Sequence, residues 1–450
     1  MQYVALAWLV VGLGACGGQP AQPLQSPGER PRDPARDPAR DPTALELPDP
    51  AATAPVTFAP PGAAVARYND PPLPVPATPY GDAVTAATRE EALRAGLSVP
   101  RADARLFRAC ADLAELVPEA SRDDVALDSE AIEFALQRNG IIEPEIRLLF
   151  GWAEAGAPGK FVAELRPKLG ELLRDSHAER FGVGLAQRRP DGATAVVFAL
   201  QSSWISTAPI RRAVPARGEI AIDAVLDPHY REPEVFVTRD DGRTRQLEVS
   251  PGRPRGFLAQ LACDDRDGRQ QIEIAASDAT GATVLANFPV WCGAEPPAAI
   301  TYRPEQDVPV ARPDQAERYL LASVNRDREA AGLTSLAWHE AIAAVAREHS
   351  DEMRTTRAIS HISPTTGTVV DRVRAARIPT RILLENVARG FGLLEAHRAL
   401  MNSPGHRANL MSDEVNQIGI GVVFGDEVAG RRELYITEIF LRGVPATARP

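Results

Sequence analysis

Four short stretches in the last third of the chain decide how its fold is interpreted: His349-Ser350-Asp351-Glu352-Met353, Ser360-His361-Ile362-Ser363-Pro364, Glu385-Asn386-Val387-Ala388 and Ser403-Pro404-Gly405-His406-Arg407-Ala408-Asn409-Leu410. Five of the seven histidines of the 450-residue chain lie between positions 339 and 406. Imidazole changes its protonation state near neutral pH and is a common metal ligand and acid–base group. The sequence therefore predicts a functional site in this region.

The residues around these stretches predict a mixed α+β domain over 314–443. Apolar residues recur at helical spacing in two segments, the first of which ends at a glycine, Gly332. Two apolar runs near the end of the domain are typical of paired strands. The predicted elements are helices at 317–331 and 339–354 and strands at 418–423 and 434–440.

The segment 213–296, which precedes this domain, predicts a small Ig-like β-sandwich. Its apolar and polar residues alternate in short runs that are separated by turn signals such as Asp240-Asp241-Gly242. Two of these runs end at Cys263 and Cys292, which could form a disulfide with a stabilisation of about 3–4 kcal/mol. We expect this domain to be a spacer or an interaction module.

The segment 81–212 repeats the pattern of the C-terminal domain. Alignment of Gly96-Leu97 on Gly332-Leu333 places Asp103 on His339 and Leu113 on His349, and counting back from the strands places Leu169 on His406. We predict a degenerate copy of the C-terminal domain, so that the whole chain is α+β. The alternative is a chance similarity between amphipathic helices.

The N-terminus predicts export. Residues 3–13 form an apolar run of signal-peptide length, and the quartet Leu13-Gly14-Ala15-Cys16 resembles the lipobox of bacterial lipoproteins. Met1-Gln2 lacks the usual basic residue, which departs from that pattern. We predict a signal peptide over 1–16, a lipid on Cys16 and attachment to a membrane of the cell envelope or the cell surface; the alternative is an ordinary signal peptide with an incidental cysteine.

Composition defines the remaining segments and excludes one class of partner. Seventeen of the 40 prolines lie between Pro20 and Pro79, so we predict a disordered Pro-rich linker over 17–80, with a second linker at 297–313 and a tail at 444–450. The net charge of −10 argues against a nucleic-acid partner.

Cys110 lies in a helical pattern and is expected to be a buried small hydrophobe.

The four stretches, together with Asn325-Arg326 and Ala331-Gly332-Leu333, resemble the bacterial branch of the CAP superfamily (cysteine-rich secretory proteins, antigen 5 and pathogenesis-related proteins). The resemblance covers about 130 residues and rests on six motifs in the same order. It implies an α-β-α sandwich, in which three or four antiparallel strands lie between helical layers.

The resemblance also implies a cleft lined by two histidines and two glutamates that can hold a divalent cation. His361 and Glu385 match the first histidine and glutamate positions. The second glutamate falls near Ser403 and the second histidine near Tyr435, which are departures from the family pattern, as is Leu400 in place of a tryptophan. In the bacterial branch His406 is expected close to the cleft. The candidate cleft residues are therefore His361, Glu385, Asn386, His406 and Tyr435.

Two functions from different classes follow. The first is an envelope or extracellular binding module whose cleft holds a small molecule, peptide, glycan or lipid. The second is a metal-assisted hydrolase, similar to a peptidase, with Glu385 as the base and with His361 and His406 as ligands. A possible site for Zn²⁺ or Ca²⁺ comprises His361, Glu385 and His406. We prefer the first, because two of the four family positions are altered and no HExxH or GxSxG motif is present.

Simpler structural roles remain for each histidine. His361 and Glu385 could be a hydrogen-bonded pair that joins two loops, and His406 could cap the C-terminus of the predicted helix at 393–402. His349 lies on an apolar stripe and is expected in the core. We assign no functional role to His339 and His397.

Overall fold

The computed structural model describes residues 7–11, 53–71, 74–117, 127–153, 156–187, 194–264, 267–304, 310–428 and 431–443. The predicted lipidation site Cys16 and the predicted tail 444–450 lie outside these ranges. The N-terminal part contributes three short strands, β1 (Ala7–Val11), β2 (Val56–Phe58) and β3 (Arg67–Tyr68).

Within its described residues, the first α+β domain has four helices and four strands of its own. The edge strand β1, which lies inside the predicted signal peptide, completes a five-stranded sheet in the order β1-β5-β7-β6-β4. Strands β4 and β6 are parallel, and the other neighbours are antiparallel. The elements are α1 (Pro79–Arg94), β4 (Arg101–Ala102), α2 (Ala104–Ala114), α3 (Ser129–Arg138), β5 (Ile146–Ala153), α4 (Pro158–Asp175), β6 (Arg180–Gln187) and β7 (Thr194–Gln201).

The second domain consists of two facing sheets, in the orders β10-β17-β16-β12-β13 and β14-β15-β11-β8. Side chains along β11 alternate between buried and more exposed, as expected when one face of a sheet covers a core. Cys263 and Cys292 are joined by a disulfide. The strands are β8 (Ile205–Thr207), β9 (Ile210–Arg211), β10 (Ala213–Val214), β11 (Glu219–Leu226), β12 (Arg231–Arg239), β13 (Thr244–Leu247), β14 (Val249–Pro251), β15 (Gly256–Ala262), β16 (Gly268–Asp278) and β17 (Gly281–Cys292).

The third domain is a three-layer α-β-α sandwich. Its sheet has the order β19-β21-β22-β20, with α6 packed on one face and α5 and α8 on the other. The elements are β18 (Ile300–Tyr302), α5 (Pro313–Ala330), β19 (Ala337–Trp338), α6 (Glu340–Thr356), α7 (Val369–Ala375), β20 (Thr380–Gly390), α8 (Leu393–Asn402), α9 (Pro404–Leu410), β21 (Gln417–Val428) and β22 (Arg431–Gly443). The predicted α+β fold class is confirmed.

The first and third domains share one strand order, since β4-β6-β7-β5 corresponds to β19-β21-β22-β20 with the same parallel and antiparallel pairs. In both, glycines on the second of these strands let a helix lie directly on the sheet. A Cβ on Gly184 would overlap the backbone of α2, and a Cβ on Gly421 would overlap that of α6. Asp103 and His339, which the alignment pairs, are the N-caps of these two helices.

The predicted linkers contain ordered structure, which corrects two domain boundaries. Phe58 and Tyr68 are buried, the first in the core of the first domain and the second in the core of the β-sandwich. The Tyr68 hydroxyl donates a hydrogen bond to the Pro289 carbonyl at 2.6 Å. Strand β2 also pairs with β18, inside the second predicted linker. Large aromatic rings bury enough apolar area to fix even a proline-rich segment.

No helix within the described ranges is long and apolar enough to cross a membrane.

Candidate binding cleft

His361 and Glu385 form the centre of the candidate cleft. His361 lies in the loop between α6 and α7, and Glu385 lies on β20. The imidazole Nδ1 and the carboxylate Oε1 are 2.8 Å apart. The His361 side chain is 12% exposed and that of Glu385 is 2% exposed, so the pair reaches the surface only through the histidine.

Arg372 completes this cluster and was not anticipated from the sequence. Its buried guanidinium forms an ion pair with the second Glu385 oxygen. It also donates to the Gly367 carbonyl at 2.8 Å and to the His361 carbonyl at 3.2 Å. A capping box between Thr368 and Asp371 starts α7 and thereby places Arg372 opposite Glu385.

The neighbours of Glu385 keep it ionised. Burial by itself would raise the pKa of this carboxyl group, because a charge is poorly solvated in the interior. The hydrogen bond and charge of His361, together with the charges of Arg372 and His349, outweigh burial and hold the pKa below its usual value. Glu385 is therefore a carboxylate whose two oxygens are both engaged.

His349 lies behind the cleft, in the core as expected. Its Nε2 is 2.7 Å from the Ser360 carbonyl, and since a carbonyl only accepts, Nε2 carries the proton. Burial lowers the pKa of His349. Glu352 lies 3.8 Å from Nδ1 and accepts hydrogen bonds from the Ser363 and Thr365 hydroxyls. These contacts hold the loop that carries His361.

His406 and Asn386 do not belong to the cleft, which corrects the prediction. Successive residues of a strand point to opposite faces, so Asn386 lies on the face opposite to Glu385. There its amide donates to Glu438 at 3.2 Å and to the His406 carbonyl at 3.4 Å. His406 is fully buried in α9, and its Nδ1 is 2.6 Å from Ser403 Oγ. The C-capping interpretation is also wrong, because a new helix begins at Pro404.

Tyr435 is buried and bound away from the cleft. Its hydroxyl donates to Glu433 at 2.8 Å, and Arg389 lies over its ring. It pairs with Arg389, four residues along β20 from Glu385, which is about 13 Å at the usual rise of a strand. Tyr435 therefore does not replace a cleft histidine.

The cleft residues do not fit the divalent cation that the resemblance implies. A catalytic zinc site needs three protein ligands. His406 lies on the other face of the sheet, and the Arg372 cation already occupies one Glu385 oxygen, so a second cation there would be repelled. Within the described parts of the chain, no group of three His, Cys, Asp or Glu side chains has an arrangement that could hold a metal.

The β-sandwich covers the mouth of the cleft. The turn between β16 and β17 contacts the loop before α7, where the Thr280 carbonyl accepts hydrogen bonds from Ser360 Oγ at 2.6 Å and from the Ile362 amide at 3.2 Å. A Cβ on Gly281 would lie 3.2 Å from the Cβ of His361. This contact joins two domains and has no signal in the sequence of either.

His397 and Glu273 are two further residues whose environment the sequence did not reveal. His397 is buried, and its Nε2 is 2.8 Å from Asp327 of α5, so it links α8 to α5. Glu273 of the β-sandwich is fully buried against α9. The alternation of β16 signals a buried face, but it does not indicate that a glutamate of that strand is buried against another domain.

The strand order, the helix packing and the His361–Glu385 pair define the third domain as an α-β-α sandwich with a polar cleft at one sheet face. Residues 321–440 match the model of the family described as Cysteine-rich secretory protein family, and this part of the chain is a CAP domain.

Two proteins of Bacillus subtilis are similar to this region. The uncharacterized protein YkwD is 32% identical over 108 residues, which are 24% of this chain and 42% of YkwD. The uncharacterized membrane protein YlbC is 29% identical over 137 residues, which are 28% of this chain and 39% of YlbC. The chain therefore spans less than half the length of these relatives.

Among solved structures, an extracellular protein containing an SCP domain from Bacillus anthracis has a TM-score of 0.27 and 17% identity, covering 54% of this chain and 87% of that chain. An outer surface protein from Borrelia burgdorferi has a TM-score of 0.26 and 18% identity, covering 31% of this chain and 98% of that chain.

Proposed function

We propose that the CAP domain is a peptide-binding module of an exported envelope protein and not a hydrolase. The observation that carries this proposal is the state of Glu385, whose oxygens are engaged by His361 and by the buried Arg372. A general base needs an oxygen within hydrogen-bond reach of the proton that it removes. Glu385 has neither such an oxygen nor a raised pKa, so it suits a structural role in a binding surface.

The donors at the mouth indicate the chemistry of the ligand. Ser360 Oγ and the Ile362 amide both donate to one main-chain carbonyl, that of Thr280. Both bonds are shared within the loop, since Ser360 Oγ is also 2.7 Å from the Ile362 carbonyl and the Ile362 amide also donates to Ser360 Oγ at 3.0 Å. A peptide presents carbonyl groups of the same kind along its length, and main-chain hydrogen bonds are a common source of affinity for extended peptides. Among the small-molecule, peptide, glycan and lipid ligands that the sequence left open, this donor pair favours a peptide.

Three features support export. The apolar run at 3–13 and the quartet ending at Cys16 have the form of a lipoprotein signal. The Cys263–Cys292 disulfide is of the kind that persists in oxidising compartments. The similar proteins from Bacillus anthracis and Borrelia burgdorferi are described as extracellular and as an outer surface protein.

The binding proposal is tested with the full chain on arrays of short random peptides. We expect retention of a defined subset by the wild type and its loss in Ser360→Ala, which removes one of the two donors. Ser335→Ala, which removes a hydroxyl of the same domain that donates to Glu329 away from the cleft, serves as the control. Retention on chitin oligosaccharides or phosphatidylglycerol vesicles, with none on peptides, would overturn the peptide assignment.

The hydrolase alternative has a separate test. We expect purified protein to contain no stoichiometric zinc or calcium, and His361→Ala with Glu385→Ala to change stability without changing metal content. Stoichiometric metal that is lost in this double variant would support the hydrolase instead.

The lipid anchor is tested by labelling with palmitate. Label is expected in the wild type and not in Cys16→Ser. Equal labelling of both proteins would contradict the anchor and leave an ordinary signal peptide.

A further inference from the structure

Strand β16 of the β-sandwich and the turn that follows it contact the CAP domain at two separate places. In the turn, the Thr280 carbonyl accepts from Ser360 Oγ and from the Ile362 amide, in the loop that carries His361. In the middle of the strand, Glu273 accepts hydrogen bonds from Ser403 Oγ and from the Gly405 amide, at 2.9 Å for the latter. Thr280 follows Glu273 by seven residues and lies in the turn after the strand. Strand β16 and its turn therefore contact two of the four motif stretches of the CAP domain.

The turn at the end of β16 is shaped to lie on His361. Asp278 accepts hydrogen bonds from the amide and the hydroxyl of Thr280, both at 2.7 Å, which fixes the turn. Gly281 has a φ of +123°, which L side chains rarely adopt, and a side chain there would press on His361. Glycine at this position is what lets the turn reach the mouth of the cleft.

Further contacts of this interface are polar. Glu273 is fully buried, and burial raises the pKa of its carboxyl group to about 7. Asn287 of β17 adds a hydrogen bond from its amide to the Asn402 carbonyl at 3.1 Å. Interfaces between domains that are held by polar contacts separate more readily than apolar cores, and motion between such domains is the default expectation.

We propose that the β-sandwich is an internal gate on the CAP cleft: the turn that ends β16 occupies the carbonyl-binding mouth beside His361, Glu273 holds the closed position, and an external peptide binds when the β-sandwich moves away. This inference rests on the proposed peptide-binding function for the identity of the ligand. The turn presents to Ser360 and Ile362 the same acceptor, a main-chain carbonyl, that the ligand would present. Occupation by the turn and by the ligand are therefore mutually exclusive.

The gate is tested by the accessibility of His361 in the full-length protein. Diethyl pyrocarbonate modifies accessible histidines, and peptide mass spectrometry gives the rate at each one. His229, whose side chain is 79% exposed, is the internal standard. We expect Gly281→Val and Glu273→Ala each to raise the relative rate at His361 about threefold or more, because each weakens the closed state. Gly96→Val, at a positive-φ glycine with open space around it, is the control for turn strain and should leave the rate unchanged.

Unchanged His361 rates in both folded variants would overturn the gate. Should Gly281→Val not fold, Gly281→Ala carries the same test with a single methyl group. Amide hydrogen exchange provides a second measurement. Gly281→Val should also accelerate exchange at Gly405 of α9, whose amide donates a hydrogen bond to Glu273 of β16. Acceleration confined to the 360–362 loop would contradict a β-sandwich that moves as one unit.

The outcome for the gate is independent of the outcome for the ligand. Histidine modification and amide exchange require no peptide. If the protein retains no peptide but His361 becomes accessible in these variants, the peptide-binding proposal is contradicted and the gate is supported. If the protein retains peptide but the rates at His361 are unchanged in the variants, peptide binding is supported and the gate is contradicted.

Discussion

The two α+β domains of this chain have the same strand order but different interiors at the position of the cleft. The β-ladders give the correspondence directly. Gly419 pairs with Ile439, which pairs with Glu385, whereas Gly182 pairs with Ala199, which pairs with Leu148. The carboxylate of the CAP domain is therefore a leucine in the first domain.

Other polar residues of the CAP domain are replaced in the same way. By the same ladders Thr437 corresponds to Val197, and by the helix alignment His349 corresponds to Leu113. The difference teaches that the fold requires close helix–sheet contacts and apolar faces but no polar cleft. Burial of an ionised carboxylate has a cost that is offset only by its partners, so Glu385 is maintained by Arg372 and His361.

The largest expected effect tests the shared architecture. Gly421→Val should destabilise the CAP domain by about 4 kcal/mol, because its side chain would overlap the backbone of α6 and force the helix off the sheet. Gly184→Val should act equally on the first domain. Denaturant unfolding measures both, with Gly390→Ala, which has no atom closer than 3.7 Å to the new Cβ, as the control. A mild effect of either valine would show that the two domains do not use the same contact.

The second prediction tests whether the charged pair of the CAP cleft can be replaced by the apolar residue type found at the corresponding position of the first domain. Arg372→Met should cost about 3 kcal/mol, since it leaves the Glu385 carboxylate buried without its cation. Adding Glu385→Leu, the residue type of the first domain, should recover at least half of that loss. The free energy of unfolding is the measurement. A double variant as unstable as Arg372→Met alone would contradict the exchange.

The third prediction concerns the contact that the CAP domain makes with the β-sandwich. The pKa of Glu273 is raised to about 7 in the folded protein, so its protonated form favours the folded state. The stability it contributes is fully present below its unfolded pKa and is lost as pH rises through about 7. Between roughly pH 5 and pH 8 the wild type should lose about 2 kcal/mol through this group. In Glu273→Gln that part of the pH dependence should be absent, as followed by unfolding at each pH.

The smallest expected effect compares His349 with Leu113. Burial lowers the pKa of His349, so its contribution is present above its unfolded pKa and is lost as pH falls. His349→Leu should cost about 1 kcal/mol at roughly pH 8, where the hydrogen bond to the Ser360 carbonyl is lost. The cost should shrink at about pH 5. A constant difference across this range would mean that the pKa of His349 is the same in the folded and the unfolded protein.

Much of the fold could be predicted because it follows from local patterns. The helical spacing of α6 and the alternation of the sandwich strands each reflect side chains that meet one surface. The ordered parts of the Pro-rich segment were missed, because Phe58 and Tyr68 fit cores that belong to distant parts of the chain. The composition of a segment does not show which distant parts of the chain its aromatic residues contact.

Some residues of the site could also be predicted from the sequence, and others could not. The sequence singled out His361 and Glu385, and they are in contact. It grouped His406 with them, because motif order does not reveal which face of the sheet a helix covers. Arg372 had no signal in the sequence, since an arginine in the last turn of a short helix is usually solvated.

By itself the sequence indicated the α+β class and a possible Cys263–Cys292 disulfide, because periodicity and the ends of apolar runs are local features. His361 and Glu385 came from the resemblance of short motifs to a known family. Only the tertiary structure decided that Arg372 neutralises Glu385, that His406 lies behind the sheet and that the turn at Thr280 covers His361. Those facts depend on which residues far apart in the chain become neighbours, and such contacts are set by packing between elements and domains.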